Sequence, residues 1–270
     1  ELKVKNPVVD LRVLKNRNVI VGAALSLAFG MAIYVSVFLY PVFVQGFLGW
    51  NATRTGLLIL PSSFLTGILM GLNATLLQKG ISPKILVFVG FLAVIAYEVI
   101  TYFLATPTSG EWDWFWPQMI RGFGFGFIFV PVAGLTLSGL KGNAIAQASG
   151  ISNMLRLLGG AIGIAVTNTF VTRRFATHRG DLIGNISMYN PEANERFYGL
   201  VKGFQSNGKS LQEAQQMAAG AMEGTVSMQS AILSYAEGFL FIGIICALVL
   251  PLIFFAKIKK GEKVDLGATH

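Results

Sequence analysis

The chain has 270 residues, of which 53% are hydrophobic and only 13% are charged, and its formal net charge is +8 at pH 7. A soluble domain carries about a quarter of its residues as Asp, Glu, Lys and Arg, so this composition excludes an ordinary water-soluble globule. The basic residues stand in short clusters between apolar runs and not on one face, which indicates a membrane protein and no nucleic-acid partner.

Six apolar runs are each long enough to cross about 30 Å of hydrocarbon as a helix, which takes about 20 residues. A helix is also the open-ended element that satisfies its own backbone hydrogen bonds in lipid. In chain order the predicted spans are 19–44, 55–78, 85–105, 114–140, 145–172 and 229–256. The sequence therefore predicts an all-α membrane protein whose residues 18–257 form a six-transmembrane-helix bundle.

The segments outside the spans are short except for one. We predict a cytoplasmic lead-in at 1–17, a cytoplasmic tail at 258–270 and an extracytoplasmic loop at about 173–228. Within that loop, 210–222 is predicted to be a short polar helix at the surface. The chain opens on a charged stretch without a signal peptide, and we expect it to be a segment of a longer polypeptide.

The distribution of Lys and Arg predicts the orientation of the bundle. With six spans both termini lie on one side, which holds twelve Lys and Arg residues, against seven on the opposite side. Cytoplasmic loops carry the excess of basic residues. We therefore expect both termini in the cytoplasm, with the bundle in the cell (inner) membrane.

The sequence carries no catalytic constellation. Its histidines are His178, at a membrane edge, and His270, the last residue, and its single cysteine is Cys246. No span offers two carboxylates, and no nucleotide-binding or metalloprotease motif occurs. We predict that the chain is not an enzyme and binds no cofactor and no metal.

Small residues recur inside the spans at helical spacing. Gly67 and Gly71 form one small-xxx-small pattern, and Gly159 and Gly163 form another. Such patterns let two helices approach closely. They predict tight packing, or alternatively helices that bend or slide during alternating access.

Arg156 lies near the middle of the fifth span, where a charge is costly without a partner or a cavity. Polar and small residues follow it at helical spacing and predict one polar face, which points to the protein interior or to water. This face comprises Ser149, Ser152, Asn153, Arg156, Gly160, Gly163 and Thr167. Arg156 and Asn153 are therefore candidates for a transport cavity, and a purely structural, hydrogen-bonded arginine is the alternative.

Three further charges lie inside spans: Glu98, Arg121 and Glu237. All three fall about 10 Å below the outer surface, so Arg121 could pair with either carboxylate. A structural ion pair is one interpretation of this placement. A carboxylate that carries protons or attracts cations is the other, and Arg121 is also a candidate to line a cavity.

Five segments, in order along the whole chain, resemble the EmrB/QacA-type drug/proton antiporters of the major facilitator superfamily, which have fourteen spans. The segments are Asn6–Asn18; Leu48–Pro61; Arg121-Gly-Phe-Gly-Phe-Gly with Pro131; Ser152-Asn-Met-Leu-Arg156 with Gly159–Gly163; and Ser234-Tyr-Ala-Glu237-Gly-Phe. The match aligns with the last six spans of the family.

The resemblance implies the C-terminal half of a major facilitator fold. It implies a pump that exports lipophilic, often cationic, small molecules in exchange for protons. Its partners would be the N-terminal bundle of the same transporter and, for members with a long loop before the last span, a periplasmic adaptor and an outer-membrane channel. By the same analogy, Arg121 and Arg156 face the cavity side, whereas Glu98 and Glu237 lie on peripheral helices.

A transporter is not the only class of protein that fits six apolar spans. A non-transporting or self-assembling six-helix membrane scaffold is the alternative. A channel is a third class, but the sequence shows no filter motif. One bundle alone is not expected to transport, because rocking about a midplane site needs two bundles.

Overall fold

The computed structural model of the chain describes residues 15–140, 142–184, 186 and 189–256, so most of the predicted lead-in and all of the predicted tail lie outside the described residues. Every regular element in the described part is a helix. The helices are α1 (Arg17–Phe47), α2 (Ala52–Gln78), α3 (Pro83–Leu104), α4 (Glu111–Leu137), α5 (Asn143–Gly184), α6 (Pro191–Ser206), α7 (Leu211–Val249) and α8 (Leu252–Phe255).

Six helical stretches are long and apolar enough to cross a membrane. They are α1 to α5 and the stretch Leu211–Phe255, which contains α7 and α8. The prediction of an all-α protein with six long apolar helices is therefore confirmed.

Local sequence signals set the helix ends near the predicted turns. The side chain of Asn16 accepts a hydrogen bond from the backbone N–H of Asn18 (2.9 Å) and caps α1. Asn51 caps α2 in the same way, and α3 starts on Pro83, a residue that tolerates the first turn of a helix. Gly80, just after α2, has a φ of 87°, a left-handed conformation that favours glycine.

The chain divides into two compact units: Glu1–Thr167 with Phe239–His270, and Asn168–Gly238. In the first unit α4 packs along α2 and α3 through its glycines. A Cβ on Gly122 would overlap the carbonyl of Ser62, and one on Gly126 would overlap the side chain of Leu69. The glycines in the middle of α4 are therefore packing positions.

The contact between α1 and α5 in the same unit is also made by glycine. A Cβ on Gly159 would overlap the carbonyl of Leu27, and one on Gly30 would overlap the carbonyl of Arg156. Gly163 meets Met31. The predicted packing role of Gly159 and Gly163 agrees with these contacts.

Gly67 and Gly71 make no close helix contact within the described part of this chain, so their packing role stays a prediction. A Cβ on either residue would meet nothing within 4 Å in the described structure. The two glycines lie on a face of α2 that points away from α4, the helix against which α2 mainly packs. The spacing shows that small residues share one face of the helix, but it does not show which helix packs against that face.

The second unit corrects the prediction of a loop at 173–228. α5 continues to Gly184, α6 follows, and α7 starts at Leu211, so 210–222 begins a long helix and is not a separate one. The start of α7 is a capping box: Ser210 N–H donates to Glu213 Oε2 (3.0 Å), and Glu213 N–H donates to Ser210 Oγ (3.3 Å). No proline interrupts α5 after Thr172 or α7 before Pro251, so the helices do not stop where their apolar stretch ends.

α6 is tied to α7 by a small apolar core in the second unit. Val201 of α6 and Ala214 and Ala218 of α7 are buried there. Phe197, Leu200 and Phe204 pack against them. Small alanines on α7 give room for the aromatic side chains of α6, which explains why this polar stretch folds into a helical hairpin.

Candidate functional site

The first part of the polar face predicted on α5, from Ser149 to Arg156, lines a cavity of about 310 Å³ in the first unit. The later part does not, because Gly160 and Gly163 pack against α1. Side chains of α1, α4 and α5 form its wall. The polar residues among them are Ser26, Thr136, Ser149, Ser152, Asn153 and Arg156, and the aromatic ones are Phe29 and Phe129. None of the described lining residues is acidic. The wall therefore combines one cation, several hydrogen-bonding groups and an apolar floor.

Arg156 is held in place by two neighbours. Its guanidinium carbon lies 4.4 Å from the centre of the Phe129 ring, a cation–π contact that stabilises by about 0.5–2 kcal/mol. Its Nη2 donates to Oδ1 of Asn153, one helical turn earlier on α5. The side chain is thus positioned at the cavity wall without a carboxylate partner in the described structure, and it can bind a further acceptor.

Close backbone approach positions this wall. Because Gly30 has no side chain, α1 comes against the backbone of α5 at Arg156 itself. Phe29, the neighbour of Gly30, then reaches α4 and meets the rings of Phe125 and Phe129 at 5.7 and 6.1 Å. The sequence analysis found the small residues of α5 but missed Gly30. A signal for it was present, because Gly22, Ser26 and Gly30 are small residues four positions apart in one apolar run.

Arg121 occupies a different, buried position between α2, α3 and α4. It is 3% exposed, and its Nη2 donates to the hydroxyl of Ser62 (3.3 Å). Its guanidinium carbon lies 5.8 Å from the ring centre of Tyr97 and 5.9 Å from that of Phe125. Arg121 does not line the described cavity, so its predicted place in a cavity wall does not agree with this arrangement.

Glu98 of α3 is fully buried, and one of its oxygens, Oε1, lies 2.6 Å from the hydroxyl of Ser36 on α1. Its other oxygen, Oε2, has no hydrogen-bond partner among the described residues. In the part of the chain that the structure describes, Arg121 forms no ion pair with Glu98. The predicted pairing of these two side chains is wrong, because the guanidinium turns to Ser62 and to aromatic faces.

Glu237 of α7 lies in the second unit, and its partners belong to α5. Arg174 donates to both of its oxygens, with Nη2 2.6 Å from Oε1. His178 Nε2 lies 3.1 Å from the same oxygen. The predicted pairing of Glu237 with Arg121 is therefore wrong. Arg174 and His178 stand four residues apart on one face of α5, a signal that becomes readable only when the helix continues past the apolar run.

Comparison with known proteins gives a consistent family. The family model described as Major Facilitator Superfamily matches residues 2–164. Over its full length the chain is 32% identical to the multidrug export protein EmrB of Escherichia coli K12, covering 51% of that protein. It is 31% identical to the fatty acid resistance protein FarB of Neisseria gonorrhoeae over 95% of the chain and 49% of FarB.

A third relative is the colistin resistance protein EmrB of Acinetobacter baumannii, which is 28% identical over 86% of the chain and 44% of that protein. The chain thus spans about half the length of the relatives that it matches.

Proposed function

The chain belongs to the Major Facilitator Superfamily, and from this premise we propose that it forms the C-terminal half of a proton-coupled multidrug efflux transporter. It is a multi-pass membrane protein of a transporter family and not an enzyme. Alternating access in this superfamily rocks two six-helix bundles about a site near the midplane. An N-terminal bundle of the same transporter therefore completes the working unit in our proposal.

The observation that carries the proposal is the cavity beside Arg156. Its wall joins apolar rings to hydrogen-bonding side chains. Pockets for small organic ligands have this composition, with few polar groups that orient a mostly apolar molecule. Arg156 has one side-chain hydrogen bond in the described structure, to Asn153.

The chemistry of the wall favours one part of the expected substrate class. Phe29 and Phe129 suit a lipophilic body. Arg156 suits a carboxylate or another hydrogen-bond acceptor, because a guanidinium presents a fixed fork of donors. A cationic group would be repelled, since no described lining residue is acidic. We propose an amphipathic molecule with an acidic or acceptor head group. One relative is named for fatty acid resistance, which fits such a substrate.

The open face of α2 supports the proposed second bundle. Leu57, Leu60 and Phe64 are 61%, 62% and 74% exposed. Gly67 and Gly71 lie on the same helix with nothing within 4 Å. Small residues beside large apolar ones are typical of helix contacts within a membrane. We propose that this face of α2 packs against the N-terminal bundle, so that Gly67 and Gly71 keep their packing role there.

We further propose that the protein lies in the inner membrane with both termini of this segment in the cytoplasm, because the excess of Lys and Arg is on that side. The segment predicted as extracytoplasmic, 173–228, then lies on the periplasmic side. Its polar helical hairpin of α6 and the start of α7 offers a folded surface. We propose that a periplasmic adaptor, linked to an outer-membrane channel, contacts this surface.

Transport by the full-length protein in proteoliposomes tests the proposal. We expect an imposed proton gradient to drive export of a lipophilic carboxylate better than that of an ammonium compound of matched size. Arg156→Gln should lower carboxylate export about tenfold or more, since a hydrogen bond to a charged group contributes about 1.5–3 kcal/mol. The exposed Arg54, paired with Glu111, is the control: Arg54→Gln should not change export. Correct insertion without any gradient-driven export would instead support a membrane scaffold.

A further inference from the structure

The hydroxyl of Ser36 makes two short contacts, and its single proton cannot form a full hydrogen bond in both. Ser36 Oγ lies 2.7 Å from the carbonyl oxygen of Ala32 and 2.6 Å from Oε1 of Glu98. Both distances are at or below the usual length of a full O–H···O hydrogen bond. The hydroxyl of Thr66 also contacts two carbonyl oxygens, Ser62 and Gly122, but at 2.9 Å each, as expected when one proton is shared.

The number of available protons determines which atom donates in each of the two Ser36 contacts. A carbonyl oxygen can only accept, so the serine proton is the donor toward Ala32. A second full hydrogen bond to Ser36 Oγ then needs a proton on Glu98, whose carboxyl O–H would donate to the hydroxyl oxygen. When Glu98 is ionised, the only available arrangement turns the serine hydroxyl toward the carboxylate and gives up its bond to Ala32.

The groups around Glu98 are compatible with both a protonated and an ionised carboxyl group. Arg121 of α4 is the cation that faces it, held outside ion-pair distance by its bond to Ser62. Tyr97 and Cys246 are the other titratable side chains near it, from α3 and α7. A Cβ on Gly243 of α7 would lie 3.2 Å from that of Glu98, so the carboxyl has no large neighbour on that side. No second carboxylate of the described structure faces it.

A row of buried polar groups leads from Glu98 toward the end of the bundle at which α4 begins. All its members are fully buried, and several are neighbours: the Tyr40 hydroxyl lies near the Gln118 amide, and the Tyr97 hydroxyl lies near Thr101. Nε1 of Trp114, whose ring packs on Tyr40, has no hydrogen-bond partner among the described residues. The members are Tyr40, Tyr97, Thr101, Trp114 and Gln118, and we call them the polar seam. Buried polar groups of this kind are normally satisfied by ordered water, which also conducts protons.

We propose that Glu98 is a proton-binding site that exchanges its proton with water along the polar seam, and that the Ser36 hydroxyl changes its acceptor when Glu98 gains or loses that proton. A proton from the aqueous end adds to the Glu98 carboxylate and gives the neutral carboxyl group, whose O–H donates to Ser36. On release the proton returns along the seam, and Ser36 donates to Glu98. No bond other than O–H forms or breaks.

Infrared difference spectroscopy of the full-length protein between low and high pH tests the site. We expect a carboxylic C=O band at low pH that disappears at high pH and is absent in Glu98→Gln. Ser36→Ala should keep the band but shift its frequency, because the carboxyl loses its hydrogen-bond partner. Glu237→Gln is the matched control: that carboxylate is paired with Arg174 and does not contact Ser36, so this variant should keep the band. A band that persists in Glu98→Gln, or one unmoved by Ser36→Ala, overturns the proposal.

Two further variants test the proposal independently of whether Glu98→Gln folds. Should Glu98→Gln fail to fold, Glu98→Asp retains the carboxyl group but withdraws it from Ser36, and must shift the band. Gln118→Leu interrupts the polar seam and should slow the shift of the band after transfer to heavy water. An unchanged exchange rate would overturn the seam as the route.

Coupling of this proton to export rests on the proposed function. Two measurements distinguish failure of the proton site from failure of the proposed function. If a proton gradient drives no export in the wild-type protein while the band depends on Glu98, the proposed function fails and the proton site stands. If gradient-driven export occurs but no band depends on Glu98, the proton site fails and the proposed function stands.

Discussion

Arg174 of α5 forms a bidentate ion pair with Glu237 of α7: its Nε donates to one carboxylate oxygen and its Nη2 donates to the other. A two-point contact of this kind fixes the direction of both side chains as well as their distance. In the second unit it therefore sets the register of α5 against α7. Another ion pair of these helices, Arg179 with Glu223, lies later on α5 and earlier on α7, as expected for antiparallel neighbours.

The first prediction concerns this register. Arg174→Ala and Glu237→Gln should each lower the melting temperature of the full-length protein in detergent by a few degrees, because each leaves one charged partner without its counter-ion. The exchanged pair Arg174→Glu with Glu237→Arg should recover part of the loss. Arg173→Ala, at a neighbouring arginine without an ion pair in the described structure, is the control. Equal melting temperatures in all variants would show that the pair does not stabilise the unit.

The second prediction concerns the ring that supports Arg156. Phe129→Leu should raise the KM for an exported carboxylate several-fold and change kcat less, because Arg156 loses the cation–π contact that orients it before substrate binds. Initial export rates over a range of substrate concentrations measure both constants. Phe127→Leu is the comparison, since Phe127 stacks on Phe123 away from the cavity. An equal rise of KM in both variants would contradict the role of Phe129.

The third prediction concerns helix packing. Gly159→Ala should destabilise the protein by about 1–3 kcal/mol, because its Cβ would overlap the backbone carbonyl of Leu27 and the two helices must separate. Gly150 lies on the same helix with nothing within 4 Å, so Gly150→Ala should not destabilise. Thermal unfolding in detergent measures both variants. Equal stability of the two would contradict the close approach of α1 and α5.

The fourth prediction concerns orientation. In a protein with Cys246→Ala, a cysteine at position 205 of α6 should react with a membrane-impermeant thiol reagent in intact cells, whereas one at position 82 should react only after lysis. The excess of Lys and Arg on the side of the termini is the reason. Labelling of position 82 but not of position 205 would reverse the topology.

The apolar runs predicted six helices because hydrophobic length is a direct requirement of the bilayer. The same signal could not place the ends of α5 and α7, since a helix ends where its backbone hydrogen bonding is broken and not where lipid ends. This is why Arg174 was missed as the partner of Glu237. Depth within an apolar run applies only to charges inside the runs, and Arg174 lies just beyond its run.

The cavity wall was easier to predict than the ion pairs. Ser149, Ser152, Asn153 and Arg156 share a face at helical spacing, and all four line the cavity. Periodicity along one helix is local information. By contrast, which of two carboxylates meets an arginine depends on how three helices rotate against each other, and depth alone does not fix that rotation.

The glycine contacts of α1 and α5 have a consequence for how this protein can vary. At Gly30 and Gly159 a side chain would meet a backbone carbonyl, which no change of a neighbouring residue can remove. Phe129 and Asn153 line the cavity, so a substitution there can be offset by another in the same wall. Selection for new substrates would therefore change the cavity wall and leave these glycines fixed, so that the scaffold sets the limits within which specificity evolves.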